Sequence, residues 1–303
     1  VTRRAVTHQS PEVVLVGRGR VGRTLAKRFA ERGVDAVLLA GRGLARSARA
    51  RALLRRARVV WITVPDPHLP AVEAAIAAAL DGLEPRALPV VAHAGGARGP
   101  GVLEACARRG ARVAVAHPAV SFGTTHTSLE GTTFVIDGAP RATRTLAALV
   151  RRLGARPLTR ALHGARYHAA LSLVANGAAA LAAAASAILA AGEPRLEQQE
   201  AARLLGSLLR SVADNVARVG PAMALTGPIA RGDAAAVARH LEALAPTERA
   251  DYAAVSRLVL RAAIARGLDP AARDAVEALL SHEAAVTKRL AASAKRSRQR
   301  ATR

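Results

Sequence analysis

The chain is poor in aromatic residues: one Trp, two Tyr and three Phe in 303 positions. That shortage excludes a surface of stacked aromatics for single-stranded nucleic acid, and it leaves the core to Ala, Leu and Val. There is one cysteine, Cys106, which excludes an intrachain disulfide and a thiolate metal cluster. It lies in the amphipathic run Val102-Leu103-Glu104-Ala105-Cys106 and is expected to be a buried, inert thiol. Acidic residues are few, 22 against 45 basic ones, for a formal net charge of +23 carried nearly all by arginine. The arginines are scattered over helix faces, as in Arg49, Arg51, Arg55, Arg56 and Arg58, which reads as a solvated surface with no specific nucleic-acid site. The first nine residues contain no apolar signal core, so the expected location is cytoplasmic.

What is present is periodic. Short apolar runs at 12–16, 34–39, 59–64, 88–92 and 112–116 alternate with helical patterns, which predicts parallel βαβ units. Their nearly continuous apolarity suits a sheet covered on both faces. Further strands are expected at 132–136 and 155–159. From Arg166 onward strand signals stop, and helices are expected over 166–191, 195–219, 233–244, 247–266 and 270–292. The fold expected is an α/β Rossmann domain with a doubly wound parallel sheet over 1–162, then an all-α domain over 163–290. The like-charged run 291–303 is expected to be a basic, disordered tail. The segment 169–192 is long enough to span a bilayer, but alanine inserts weakly and Asn176 interrupts it. It is read as a buried core or dimer helix, with a homodimer through the helical domain and no membrane partner.

Gly17-Arg18-Gly19-Arg20-Val21-Gly22 follows a predicted strand and opens a predicted helix, the context that a dinucleotide-binding glycine motif requires. Gly17 permits the turn, Gly19 lets a pyrophosphate approach the backbone, and Gly22 lets the helix pack against the strand. The second strand ends Leu39-Ala40-Gly41-Arg42, without the carboxylate that holds the ribose hydroxyls of NAD. Arg42, with Arg18 or Arg46, can pair with a 2′-phosphate, so the cofactor expected is NADP. No metal is expected. Thr63-Val64-Pro65-Asp66 closes the third strand, where Val64, Pro65 and Asp66 are expected to flank the cofactor, and His93-Ala94-Gly95-Gly96 ends the next strand on the same rim. His93 reads equally as a structural and as a functional residue.

With those segments, Ala116-His117-Pro118 with Phe122, Tyr167-His168-Ala169-Ala170 through Asn176, and Leu225 to Asp233, the chain resembles the 6-phosphogluconate-dehydrogenase-like oxidoreductases. Ketopantoate reductase and pyrroline-5-carboxylate reductase belong to that group. The nearest resemblance is to a branch with a Rossmann-like domain and a helical C-terminal domain of unknown function. Ala119-Val120-Ser121 between Pro118 and Phe122 departs from the branch pattern. The resemblance implies an NADP-dependent reductase acting on a small carboxylate-bearing metabolite, with a ketopantoate reductase-like activity as its most specific form.

His168, Ser172 and Asn176 are spaced i, i+4, i+8 and share one helix face. Relatives carry a proton-donating lysine at similar spacing, and this chain has none there. His168 is the candidate proton donor, with Asn176 and Ser172 as orienting groups. The equal alternative for His168 is a satisfied core histidine. His117, Ser121 and Arg231 are the candidate substrate contacts, and Asp233 is also a helix cap. The competing reading is a non-catalytic NADP-binding or sensing protein.

Overall fold

The computed structural model describes residues 11–124, 126–192 and 196–283, so the basic 291–303 run lies outside the described residues. The chain divides into two compact units, Val1–Ala175 and Asn176–Arg303. The division falls inside a long helix, thirteen residues beyond the boundary expected at residue 162.

The first unit is built in the order β1 (Val13–Val16), α1 (Arg20–Glu31), β2 (Ala36–Leu39), α2 (Ala48–Arg56), β3 (Val59–Ile62), α3 (Leu69–Ala79), β4 (Val90–His93), α4 (Glu104–Arg108), β5 (Arg112–Pro118), β6 (Thr133–Gly138), α5 (Pro140–Arg152) and β7 (Arg156–Thr159). The strands form one seven-stranded sheet, ordered β2-β1-β3-β4-β5-β6-β7. The strand order reverses between β1 and β3, which pair in parallel, and that is where an open α/β sheet forms its ligand crevice. Val13, Leu15, Val59 and Trp61 point to one face, against Leu25 and Phe29 of α1 and Leu146 and Leu149 of α5. Val14, Val16, Val60 and Ile62 point to the other, against Leu54, Leu69, Ile76 and Cys106. The alternation explains why each strand reads as unbroken apolar sequence: both faces are covered.

One expectation needs correcting. The sheet is not wholly parallel, because β6 runs antiparallel to β5, with Ala116 opposite Ile136 and His117 opposite Val135. The described residues of the connection 119–132 hold no crossover helix, and only a crossover returns the chain parallel. Cys106 is buried, as expected, and the desolvation of its thiol pushes its pKa up. Its backbone N–H donates to the buried carboxylate of Glu73 at 2.7 Å.

α6 (Ala165–Ala191) carries the chain from the first unit into the second, which continues with α7 (Gln198–Met223), α8 (Pro228–Arg231), α9 (Ala234–Ala243), α10 (Pro246–Ala265) and helical residues 270–283. α7 kinks at Gly220-Pro221, with Gly220 at φ +79°. The reading of α6 as a buried core helix is overturned for the single chain: none of its residues is buried. The apolar core of the second unit comes from α8, α9, α10 and 270–283. By length and composition α6 is also the one helix among the described residues able to cross a membrane.

Candidate functional site at the carboxyl edge of the sheet

The glycine motif occupies the turn between β1 and α1, and each glycine has a separate reason to be there. Gly17 has φ +134°, and a Cβ on it would lie 2.8 Å from the Thr63 carbonyl carbon and hydroxyl. A Cβ on Gly22 would lie 1.9 Å from the Gly17 carbonyl oxygen. These two glycines are required by the protein itself. Gly19 is different: nothing lies within 4 Å of the Cβ it lacks. It is the N-cap of α1, with no side-chain capping bond and no acidic residue in the first turn. A twelve-residue helix whose first amides lack a side-chain cap, beside open space at a glycine, is the arrangement that receives a phosphate. The residues present therefore fit a dinucleotide pyrophosphate. The Thr63 hydroxyl, itself buried, donates to the carbonyl oxygens of Gly17 at 3.0 Å and Val16 at 3.3 Å. It ties the loop to the end of β3.

Arg20, expected to bind cofactor, uses its side chain otherwise. Its Nη1 donates to the Phe122 carbonyl at 3.0 Å. Arg28 donates to the His126 carbonyl at 2.9 Å, Lys27 pairs with His126 Nδ1 at 2.8 Å, and Arg32 pairs with Glu130 at 2.6 Å. These cations, spaced along one side of α1, hold the 119–132 connection beside the helix that follows the glycine loop. Ser121 lies exposed on that connection. Val21 is half-buried behind the loop, and Arg18 is exposed, its carbonyl accepting from Arg23 Nε at 2.8 Å.

Arg42 is exposed just past the tip of β2. Gly41 before it passes close to Val64 and Val72, and Gly43 after it takes φ +72°. The tip holds no carboxylate. Arg46 is exposed in the short turn that follows, before the Ser47 hydroxyl caps α2 by accepting from Ala50 N–H at 3.1 Å.

The rest of the rim is a histidine cluster. His93 is 1% exposed. Its Nδ1 accepts from the Gly95 N–H at 3.2 Å, so Nε2 carries the proton and donates to the Gly99 carbonyl at 3.1 Å. Burial holds it below the usual histidine pKa, and it serves the 94–99 loop as a structural residue. Asp66 lies against Gly95 and pairs with Arg98 at 3.9 Å; Val64 is half-buried and Pro65 exposed beside it. His163 pairs with Asp137 at 3.1 Å, and the Gly164 N–H donates to the Gly96 carbonyl at 3.2 Å. These two contacts fasten the start of α6 to the rim.

That fastening delivers Tyr167 to His117. The Tyr167 hydroxyl lies 2.9 Å from His117 Nδ1, with the rings edge-on at 5.6 Å between centroids. The His168 ring is 6.4 Å from that of His117. Burial, and secondarily the charge of His168, lowers the pKa of His117 to about 4, so it is neutral at physiological pH. Burial raises that of Tyr167, which keeps its proton. The structure thus brings the His117 and His168 rings near each other and sets Tyr167 beside them. Sequence reasoning passed over Tyr167 as a functional group; its one signal was being one of two tyrosines in the chain, next to His168.

Because α6 is helical throughout, His168, Ser172 and Asn176 stand on one of its faces; His168 and Asn176 are exposed and Ser172 half-buried. Asn176 and Arg231 belong to the second unit. There the 225–233 segment is shaped by backbone needs. Gly227 and Gly232 take φ +96° and +73°, and the Asp233 carboxylate caps α9 by accepting from Ala236 N–H at 2.9 Å. Arg231 is exposed on the four-residue α8. Among the described residues no group of three or more His, Cys, Asp or Glu could hold a metal ion.

Residues 132–259 match the family described as Domain of unknown function (DUF2520). No curated protein matches the sequence. Among solved structures, protein TM1727 from Thermotoga maritima is 22% identical, with 84% of this chain and 99% of that one covered, at a TM-score of 0.54. BF3122 of Bacteroides fragilis, an assigned NADP oxidoreductase, is 19% identical over 84% and 98%, at 0.55. A reductive aminase from Aspergillus terreus, in complex with NADPH and ethyl-5-oxohexanoate, is 14% identical over 90% and 93%, at 0.51. At these identities the likeness is one of fold: a Rossmann-like domain followed by a helical region.

Proposed function

We propose that the chain is an NADP-dependent reductase that reduces a carbonyl or imine of a small, carboxylate-bearing metabolite. The observation that carries this reading is the α1 N-terminus, without a side-chain cap and opening at Gly19 onto space that no protein atom fills. Gly17, Arg18, Gly19, Arg20, Val21 and Gly22 would supply backbone amides to the pyrophosphate, and Val64, Pro65 and Asp66 would border the ribose and nicotinamide. Arg42, in place of an acid at the β2 tip, favours the 2′-phosphate of NADP. A bound dihydronicotinamide supplies the hydride. Two structural neighbours, the assigned NADP oxidoreductase and the NADPH-bound reductive aminase, bear names consistent with that chemistry.

The chain itself has to supply position and a proton. Tyr167 is kept protonated and His117 neutral, 2.9 Å apart. In the tautomer with Nδ1 protonated, His117 donates to the phenol oxygen, and the phenol proton is free to go to the oxygen or nitrogen that gains charge as hydride adds. His117 then returns a proton to the phenol from Nδ1 as its Nε2 takes one up from solvent, on the side where exposed His168 lies. This widens the sequence-based assignment of His168, Ser172 and Asn176 to include Tyr167, with His117, Ser121 and Arg231 as substrate contacts. Ketopantoate and related 2-oxo acids are the first substrates to try. The homodimer through the helical domain belongs to the same reading.

The test is NADPH oxidation against a panel holding ketopantoate, pyrroline-5-carboxylate and other 2-oxo acids and cyclic imines. Turnover of one of them is expected, with Tyr167→Phe lowering kcat by about 10²–10⁴-fold, the usual worth of a positioned acid. Unchanged turnover in Tyr167→Phe would remove the tyrosine from the mechanism. Tight NADPH binding without turnover across the panel would instead support a binding or sensing protein, the reading favoured by the missing lysine on α6.

A further inference from the structure

The loop that leaves β4 reads Ala94-Gly95-Gly96-Ala97-Arg98-Gly99. Arg98 is its one side chain longer than a methyl, and three neighbours press on its backbone. A Cβ on Gly95 would lie 2.6 Å from Asp66 Oδ1, one on Gly96 2.8 Å from His117 Nε2, and one on Gly99 2.6 Å from the His163 ring. His93 adds its two ring bonds, to the Gly95 N–H and the Gly99 carbonyl. A backbone held at that many points fixes where the Arg98 side chain starts. Its Nε is 3.9 Å from Asp66 Oδ2, near enough for charge attraction and too far for a hydrogen bond. The side chain is 49% exposed, and among the described residues its guanidinium donates to no acceptor. Other arginines of this unit are already engaged: Arg28, Arg32 and Arg152 donate to carboxylates at 2.6–2.7 Å.

We infer that Arg98 anchors the carboxylate of the substrate, which makes the preferred substrate an oxo acid or its imine and not a neutral carbonyl compound; the inference rests on the reductase reading. The strand order decides which anion Arg98 can meet. The glycine loop follows β1 and Arg42 follows β2, whereas β4 lies two strands from β1 on the side away from β2. At ~4.8 Å between neighbouring strands, the Arg98 loop starts roughly 10 Å from the loop that fits the pyrophosphate and roughly 15 Å from the tip that fits the 2′-phosphate. The reach of the side chain is taken up toward Asp66. The anion left for it is one carried by the substrate. On its other side, β5 brings His117, whose Nε2 edge rests against Gly96, and His117 brings Tyr167. The charge of Asp66 is felt at His117 as well as at His93, so Arg98, Asp66 and the His117–Tyr167 pair border one stretch of the rim. A guanidinium suits the task because its planar fork meets both carboxylate oxygens and fixes their direction. The adjacent carbonyl or imine is then presented to the Tyr167 hydroxyl. Arg98 shares the unit of that pair, while Arg231, the arginine that the sequence suggested, belongs to the second unit.

The experiment measures NADPH oxidation by the full chain with 3-methyl-2-oxobutanoate, 2-oxobutanoate and the methyl ester of each. Wild type is expected to favour the acids. Arg98→Gln is expected to raise KM for the acids about 10–100-fold, the worth of a charge-assisted pair. Its kcat, its KM for the esters and its affinity for NADPH should hardly move, since a loss confined to KM marks a contact made equally in the ground and transition states. Arg86→Gln removes an equal charge from the exposed turn before β4, at the other end of that strand, and should change nothing. An Arg98→Gln enzyme with wild-type KM for the acids, or an Arg86→Gln enzyme that loses as much, overturns the inference and leaves the reductase standing. Bound NADPH without turnover of any of the four counts against the reductase. Saturation-transfer NMR on the NADPH-loaded protein, with oxamate and its neutral counterpart oxamide, then reads the anchor by itself. An oxamate signal that is lost in Arg98→Gln upholds it. No oxamate signal in wild type, or an equal one from oxamide, sinks it too.

Discussion

Gly19 and Gly22 lie three residues apart in one motif, and the structure separates what each is for. At Gly22 a Cβ would sit 1.9 Å from the Gly17 carbonyl oxygen and 2.6 Å from the Thr63 hydroxyl. Backbone cannot yield that much without moving α1 off β1. The expected cost of Gly22→Ala is that of overpacking, about 1–3 kcal/mol, partly offset by the roughly 1 kcal/mol that alanine gains over glycine in a helix. At Gly19 a Cβ meets nothing, and φ −72° suits any residue. Gly19→Ala loses a preferred N-cap residue but restricts the unfolded chain, two effects of about 0.5–1 kcal/mol with opposite signs. Its folding stability should be nearly unchanged.

Binding should separate the two in another way. Trp61, the only tryptophan, is fully buried in the first unit between Phe29 and Phe134, so its fluorescence in a urea titration reports that unit. NADPH affinity is measured by calorimetry. Gly19→Ala is expected to unfold like wild type and bind NADPH at least tenfold more weakly, because its methyl occupies the phosphate's space. Gly22→Ala is expected to unfold earlier and to bind weakly as well. Wild-type NADPH affinity in Gly19→Ala would refute the reasoning, since it would mean that the open space at α1 is not where the pyrophosphate sits.

Two other outcomes follow from buried polar groups. His117 has its pKa lowered in the fold, so it lends stability that is complete above about pH 6.5 and lost as pH falls toward 4; that drop corresponds to about 3 kcal/mol, cut to about 1–2 by partial solvent access. In Trp61-monitored urea titrations between pH 8 and pH 4.5, His117→Asn should lose this share of the acid sensitivity and leave the share due to His93, and parallel profiles would refute the assignment. The Thr24 hydroxyl is buried in α1 without a hydrogen-bond partner, so Thr24→Val should hold or raise stability, by up to about 1 kcal/mol in the same titration; a clear loss would show that the hydroxyl has a partner.

The strands of the first unit could be read in the sequence because covering a parallel sheet on both faces leaves a mark at every position of Val13–Val16 and Val59–Ile62. The direction of β6 could not. Direction is a property of the connection, and 119–132 looks like any polar loop until the cations of α1 are seen holding it. The glycine motif was legible as a motif, but its division of labour was not, since the Gly22 contact with the Gly17 carbonyl is tertiary. Of the two covers expected for α6, a core or a second copy, the single chain supplies no core, and the reason is physical. An all-round apolar helix shows that it must be covered; it does not say by which chain.

The histidines of the rim show why the tyrosine had to come from the structure. His93 uses both ring nitrogens on the backbone of its own loop, and His163 uses Nε2 on Asp137. His93 therefore has no nitrogen to spare for a proton in transit, and His163 spends Nε2 on an ion pair that fixes the start of α6. His117 uses Nδ1 on a phenol hydroxyl, a partner that carries its proton at neutral pH and can release it. The pair is fifty residues apart in sequence and forms only because Gly164 and His163 fasten the start of α6 to the rim. If proton delivery depends on that pair, loosening the fastening should lower kcat without touching either member. His163→Ala would then slow turnover while leaving NADPH affinity intact, and an unchanged kcat would place the proton donor elsewhere.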